Sequence, residues 1–158
     1  MRKALEVVGA AAVAALFWIT WSALHGPEPL PDRIPTHFDI SGNPNAWGPS
    51  SSLLLLPVVG LVLYLSITVV SQFPSAFNYP VRVTPENRPR LEALAIGMIT
   101  WLKVELVFLF LWIQSSTIDA ARHQTLGLPL LLLPVSLLAV FGTITWHIVA
   151  MRRAVKPQ

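Results

Sequence analysis

Four long apolar stretches, at 4–24, 52–72, 93–114 and 126–151, dominate the pattern of the chain. Each is long enough to cross a hydrocarbon core of about 30 Å, which takes about 20 helical residues. Within each stretch the apolar side chains occupy every face of a helix, and no stripe of charge at helical period marks a water-facing side. The pattern therefore predicts an all-α membrane protein: a single four-helix transmembrane domain over 1–158, with connections at 25–51 and 73–92. The second span is expected to start at a serine cap formed by Ser50, Ser51 and Ser52, and the fourth near Gly127, Leu128 and Pro129. Pro57 and Pro134 fall inside these spans and are expected to bend them by removing a backbone hydrogen bond. Both sit in the string Leu-Leu-Leu-Leu-Pro-Val, at 53–58 and 130–135. A tandem repeat of helical hairpins and a chance recurrence of leucine-rich sequence both explain it.

The connections carry different signals. Pro27, Pro29, Pro31 and Pro35 forbid a helix in 25–51 and favour extended chain, and Gly42-Asn43-Pro44 marks a turn. The 73–92 connection shows no apolar periodicity before Thr84-Pro85-Glu86-Asn87. There a threonine cap, a proline at the first helical position and an acid in the first turn predict that the third helix begins before the membrane. In the first span, the 9–15 stretch is almost all Gly and Ala, and the pairs Ala10/Ala14 and Ala11/Ala15 have the spacing of a close-packing face.

Charge then orients the bundle. Of eleven basic residues, eight lie in three segments: Arg2 and Lys3; Arg82, Arg88 and Arg90; Arg152, Arg153 and Lys156. The other two connections hold only Arg33 and Arg122, so the positive-inside rule predicts both termini and the 73–92 loop in the cytoplasm, with 25–51 as a Pro-rich extracytoplasmic loop. A basic start before an apolar run also describes a secretory signal, but this run is long and ends in Trp18, Trp21 and Leu24, which suit a retained span at the interface. The net charge of +3 is spread over these segments rather than gathered in a patch, which argues against nucleic acid as a partner. The absence of cysteine excludes disulfides and thiol chemistry.

Two charges fall near the middle of the third span, Lys103 and Glu105. A charge in the bilayer interior costs at least about 2.5 kcal/mol, so such residues face the bundle interior or water. Two residues apart on a helix means about 200° around it, so the pair should not meet. Lys103 is expected to use carbonyls freed at Pro57 or Pro134, since Glu6, the other acid of the spans, sits at the cytoplasmic edge. Glu105 would meet Arg33 or His37 if the outer loop folds down over a polar cavity. A purely structural role for both charges stands beside that reading. In the loop, His37 and Asp39 would share one side of an extended segment. They form a candidate metal pair with His25, Asp32, Asp119 or His123 nearby, although hydrogen bonding to the loop's own backbone is the favoured role and no metal or cofactor is expected. His147, next to Trp146, reads as an interfacial residue.

The chain resembles the SdpI-like bacterial membrane proteins over about 30–115. The resemblance rests on Leu30-Pro31-Asp32, Ile34-Pro35, His37-Phe38, Gly42 and Trp47-Gly48. It continues at Phe77-Asn78-Tyr79-Pro80-Val81, Thr84, Glu86-Asn87 and Leu102-Lys103. Asn45 stands where the family pattern leads one to expect an acid, and no lysine follows Trp47-Gly48, which weakens an electrostatic role for that turn. The resemblance implies a bundle in the bacterial inner membrane and external sensing, in a family that includes immunity proteins against membrane-acting toxins. No phosphate loop, nucleophile motif or catalytic constellation is present, so a non-enzymatic sensor or immunity-type protein is expected, with a peptide or lipid ligand at the loop. Arg33, His37, Asp39, Asp32 and Trp47 would line that site, with Lys103 and Glu105 beneath. A small transporter or lipid-handling protein, and an accessory subunit of a larger complex, homo- or hetero-oligomeric, are the alternatives.

Overall fold

A computed structural model describes residues 1–28, 30–123 and 128–154. Pro29, Gly127 and Lys156, and the start of the fourth apolar stretch at 126, lie outside the described residues. Four helices carry the fold: α1 (Arg2–His25), α2 (Leu55–Val70), α3 (Arg88–His123) and α4 (Leu132–Arg153). All four are long and apolar enough to cross a membrane, counting Ser50–Val70 as the second. Their outer surfaces are apolar too, with Leu55, Val62 and Leu65 of α2 and Leu137, Leu138 and Phe141 of α4 exposed.

α3 is the axis of the bundle, and α1, α2 and α4 each pack on it. At 36 residues it is far longer than the apolar stretch 93–114, about 54 Å at 1.5 Å per residue. Its expected start is present in part: the threonine cap forms, but Pro85, Glu86 and Asn87 make a turn and α3 itself begins at Arg88, with no acid in its first turn. The Thr84 N–H donates to Asn87 Oδ1 (2.8 Å), the Asn87 N–H returns to Thr84 Oγ1 (3.4 Å), and the Arg88 N–H closes the first turn on the Thr84 carbonyl (3.0 Å). This is a capping box with asparagine in the glutamate's place.

Several expectations change. Ser50–Leu54 is a 3-10 turn without a side-chain cap, in which the Ser52 hydroxyl donates to the Pro49 carbonyl (2.6 Å). Pro57 and Pro134 are each the third residue of their helix. In that first turn the N–H has no intrahelical partner in any case, so the two prolines start helices rather than bend them. In α1 the packed face is Gly9, Ala12, Val13, Leu16, Thr20 and Ala23, while Ala10, Ala11 and Ala14 are exposed. The segment before α3 does have a period, but of two: Phe77, Tyr79, Val81 and Val83 alternate with exposed residues and pack on Leu91, Ala95 and Met151.

The all-α expectation is incomplete as well. The loop after α1 folds into an antiparallel hairpin, β1 (Arg33–Phe38) and β2 (Pro44–Pro49), with Arg33 opposite Pro49 and Phe38 opposite Pro44. Ile34 is its anchor, packed with Ala23, Leu53, Ile118 and Ala121 at the end of α1 and α3. The base of the hairpin joins the 3-10 turn through the Ser50 N–H on the Asp32 carbonyl (3.0 Å). The tip is tied to the chain before α4 by the Leu128 N–H on the Gly42 carbonyl (2.9 Å). The hairpin thus bridges one end of the bundle from the α2 side to the α4 side.

Candidate functional site: a buried ion pair and a side groove

Lys103 and Glu105 point to different helix interfaces, as two residues of separation on one helix require. Lys103 is 1% exposed and turns towards α1 and α2. Its Nζ donates to Glu6 Oε2 (2.7 Å) and Thr68 Oγ1 (2.7 Å) and lies 4.3 Å from the centroid of the Tyr64 ring. The Tyr64 hydroxyl also reaches Glu6, at 3.1 Å from Oε2. Gly9 makes this possible, since a Cβ there would stand 2.8 Å from Tyr64 Cε2. The partner of Lys103 is therefore Glu6, not a carbonyl freed by proline. A helix side chain leans towards its own N-terminus, so the long lysine stem reaches back down α3 to an acid that looks too near the membrane edge.

A second polar tie lies nearer the hairpin. Gln114 Nε2 donates to Thr20 Oγ1 (2.7 Å) and to the Leu53 carbonyl (3.0 Å), joining α3 to α1 and to the 3-10 turn. Gln114→Leu leaves the buried carbonyl unsatisfied and is expected to lower stability by about 1–3 kcal/mol. Thermal unfolding in detergent checks this, and an unchanged midpoint would mean the tie contributes nothing.

Glu105 faces α4. Its Oε1 accepts from the Thr143 hydroxyl, and its Oε2 is buried without a hydrogen-bond partner among the described residues. It lies in the wall of a groove of about 970 Å³ between α2 and α4, floored by α3. Ile67 of α2, Leu102 and Trp112 of α3, and Ala139 and Ile144 of α4 line it with Glu105. The groove exists because α2 and α4 pack on α3 without substantial contact with each other. On the same side His147 is buried, its Nδ1 on the Thr143 carbonyl (2.8 Å).

The loop residues are engaged within the hairpin. Arg33 donates to the Trp47 carbonyl (3.1 Å), and His37 pairs with Asn45. Neither meets Glu105. Bulges at Pro35/His37 and His37/Phe38 break the alternation that would set His37 and Asp39 side by side. Asp39 Oδ1 instead accepts from the Ser41 N–H (2.9 Å) and the Asn43 N–H (2.8 Å), closing the turn. Asp32 and the Trp47 side chain are exposed, and Asp119 pairs with His123 one helical turn away (3.0 Å). No group of three His, Asp or Glu residues among those described could hold a metal.

The Asn43 N–H, aimed at Asp39, holds its carboxyl below the ordinary aspartate value of 3.8, with further help from Ser41 and Gly42. A depressed carboxyl stabilises the fold fully above its unfolded value and loses that contribution as pH falls through the folded one. The turn amides of Ser41 and Asn43 are therefore expected to exchange faster as pH falls below that of ordinary aspartate, relative to their intrinsic rates. Asp39→Asn should remove that pH dependence.

The sequence pattern singles out none of Tyr64, Thr68, Thr143, Thr20 and Gln114, and sets Glu6 aside as lying at the cytoplasmic edge. One signal was available: Glu6 is the only other acid within a predicted span, so charge balance alone couples it to Lys103.

Four membrane-length helices and a lipid-like outer surface define a multi-pass membrane protein. Residues 8–61, comprising most of α1, the hairpin and the start of α2, match a domain of unknown function, DUF1648. An uncharacterized protein of Archaeoglobus fulgidus is 30% identical over 59 residues, an alignment covering 32% of each chain. No solved structure matches the chain.

Proposed function

We propose that this protein is a non-enzymatic bacterial inner-membrane protein that takes a lipid-like ligand from the bilayer into the groove between α2 and α4. The supporting observation is the groove itself: about 970 Å³, apolar apart from Glu105 and a few serines, and flanked by helices whose outer faces suit lipid. Ligand pockets are of this size and composition. Arg33, His37 and Asp39, three of the loop residues expected to bind a ligand, spend their hydrogen bonds on the hairpin, which favours the lipid-handling alternative over binding at the loop. N-in, C-in orientation belongs to the same proposal, since Arg2 and Lys3, Arg82, Arg88 and Arg90, and Arg152 and Arg153 lie at the helix ends away from the hairpin. So does kinship with the SdpI-like proteins, in which occupancy of the groove would be the signal sensed or the toxic agent sequestered.

Wild-type protein released from nanodiscs is expected to retain a bound lipid-like molecule in native mass spectrometry, and Ala139→Trp, which fills the groove, to lose it. Equal retention by both would sink the proposal. A second reading places a peptide on the hairpin, where Ile40 is 91% and Trp47 52% exposed. Loss of ligand in the Ile40→Ser, Trp47→Ser variant, with Ala139→Trp unaffected, would move the site there.

A further inference from the structure

We infer that the ligand of the groove is a single-chain amphiphile with an amine head, seated by Glu105; this rests on the groove being the binding site. Glu105 Oε2 is buried without a partner among the described residues, while Oε1 is occupied by Thr143. A buried carboxyl oxygen without a partner is unfavourable, and a ligand carrying an N–H donor relieves it once the Glu105 side chain, which lines the groove, turns that oxygen towards it.

Apart from Ser66 on the α2 wall, the polar groups around the groove are committed elsewhere. Lys103 is on another face of α3, bound to Glu6 and Thr68, and the hydroxyls of Ser115 and Ser136 donate to the Trp112 and Leu132 carbonyls of their own helices. Among donor heads, an ammonium can bring both the hydrogen bond and a positive charge, and no cation is in contact with Glu105 among the described residues.

The rest of the groove describes the tail. On α3 the lining begins at Ile99, and from Glu105 to its other end at Ser115 is ten residues, about 15 Å along the helix. That is about half of a hydrocarbon core of about 30 Å, the reach of one lipid chain. A phospholipid fits poorly, because its phosphate belongs at the interface and offers Glu105 no N–H donor, whereas Glu105 lies well inside α3.

The test uses the full protein in nanodiscs with a nitroxide-labelled alkylamine, read by quenching of Trp112 in the groove wall, and with dodecylamine, dodecanol and dodecanoic acid as competitors. Dodecylamine is expected to displace the label at least tenfold better than dodecanol, and dodecanoic acid to displace it least. Glu105→Gln, which can still accept from Thr143, should bring the amine down to the level of the alcohol and leave the alcohol unchanged. Equal displacement by amine and alcohol on the wild-type protein overturns the inference, a result that needs no variant to fold. Ala139→Trp separates the two failures. If it removes all binding while the amine and the alcohol behave alike, the groove stands and the amine assignment falls. If it leaves binding intact, both fall.

Discussion

Glu6→Leu is expected to destabilise the protein by about 3–5 kcal/mol, the range for removing one partner of a buried ion pair, and by more than Lys103→Met does. The asymmetry comes from burial. The Lys103 side chain is 1% exposed and that of Glu6 29%, so losing Glu6 strands a charge deep among the helices, whereas losing Lys103 leaves a carboxylate with partial access to water and the Tyr64 hydroxyl. The double variant Glu6→Leu, Lys103→Met should be less destabilised than Glu6→Leu alone, because no charge remains to strand. Equilibrium unfolding in mixed micelles measures all three. If Lys103→Met proved the more damaging single change, the lysine would act through something other than this pair, such as its position over the Tyr64 ring.

Gly42→Val is expected to release the tip of the hairpin and lower stability by more than about 2 kcal/mol. Gly42 has φ +82°, a conformation that costs an ordinary L-residue about 1–2 kcal/mol and a β-branched one more. A Cβ there would also sit 2.2 Å from the Leu128 carbonyl oxygen. The obstacle is backbone rather than a flexible side chain, so relief requires breaking the bond from the Leu128 N–H to the Gly42 carbonyl. Hydrogen exchange at Leu128 should rise with the loss of stability. Gly142, in α4, is the control: a Cβ there meets nothing within 4 Å, and Gly142→Ala should be neutral or stabilising. Normal protection of Leu128 in the Gly42 variant would show that the tip is held by other contacts.

Much of this architecture was legible because lipid imposes a simple code. A span must be apolar on all sides and about 20 residues long, so four spans follow from composition in windows. The Thr84-Pro85-Glu86-Asn87 start of α3 was legible for a similar reason, since a cap is a local hydrogen-bond pattern. The separation of Lys103 from Glu105 followed from helix geometry alone.

What was not legible depended on neighbours distant in the chain. Prolines 57 and 134 look alike in any window, and only the turns packed before them place both in a first helical turn, where they bend nothing. The alternation of Phe77, Tyr79, Val81 and Val83 acquires meaning from the Leu91 and Met151 surface on which it lies. That proline-rich chain becomes a paired hairpin follows from the seat that α1 and α3 offer Ile34.

The sequence by itself determined that this chain lives in a membrane and which residues would be costly there, because hydrophobic length and buried charge are properties of single helices. Only the tertiary structure decided how each cost is met: Lys103 by Glu6 from a helix 97 residues away, Gln114 by Thr20 and Leu53, and Glu105 by Thr143 on one oxygen alone. Those pairings require knowing which helix faces which and at what height, and a leaning side chain shifts that height by a turn. The remaining oxygen of Glu105, buried without a partner among the described residues beside a groove that no single helix possesses, is where the fold goes furthest beyond the sequence.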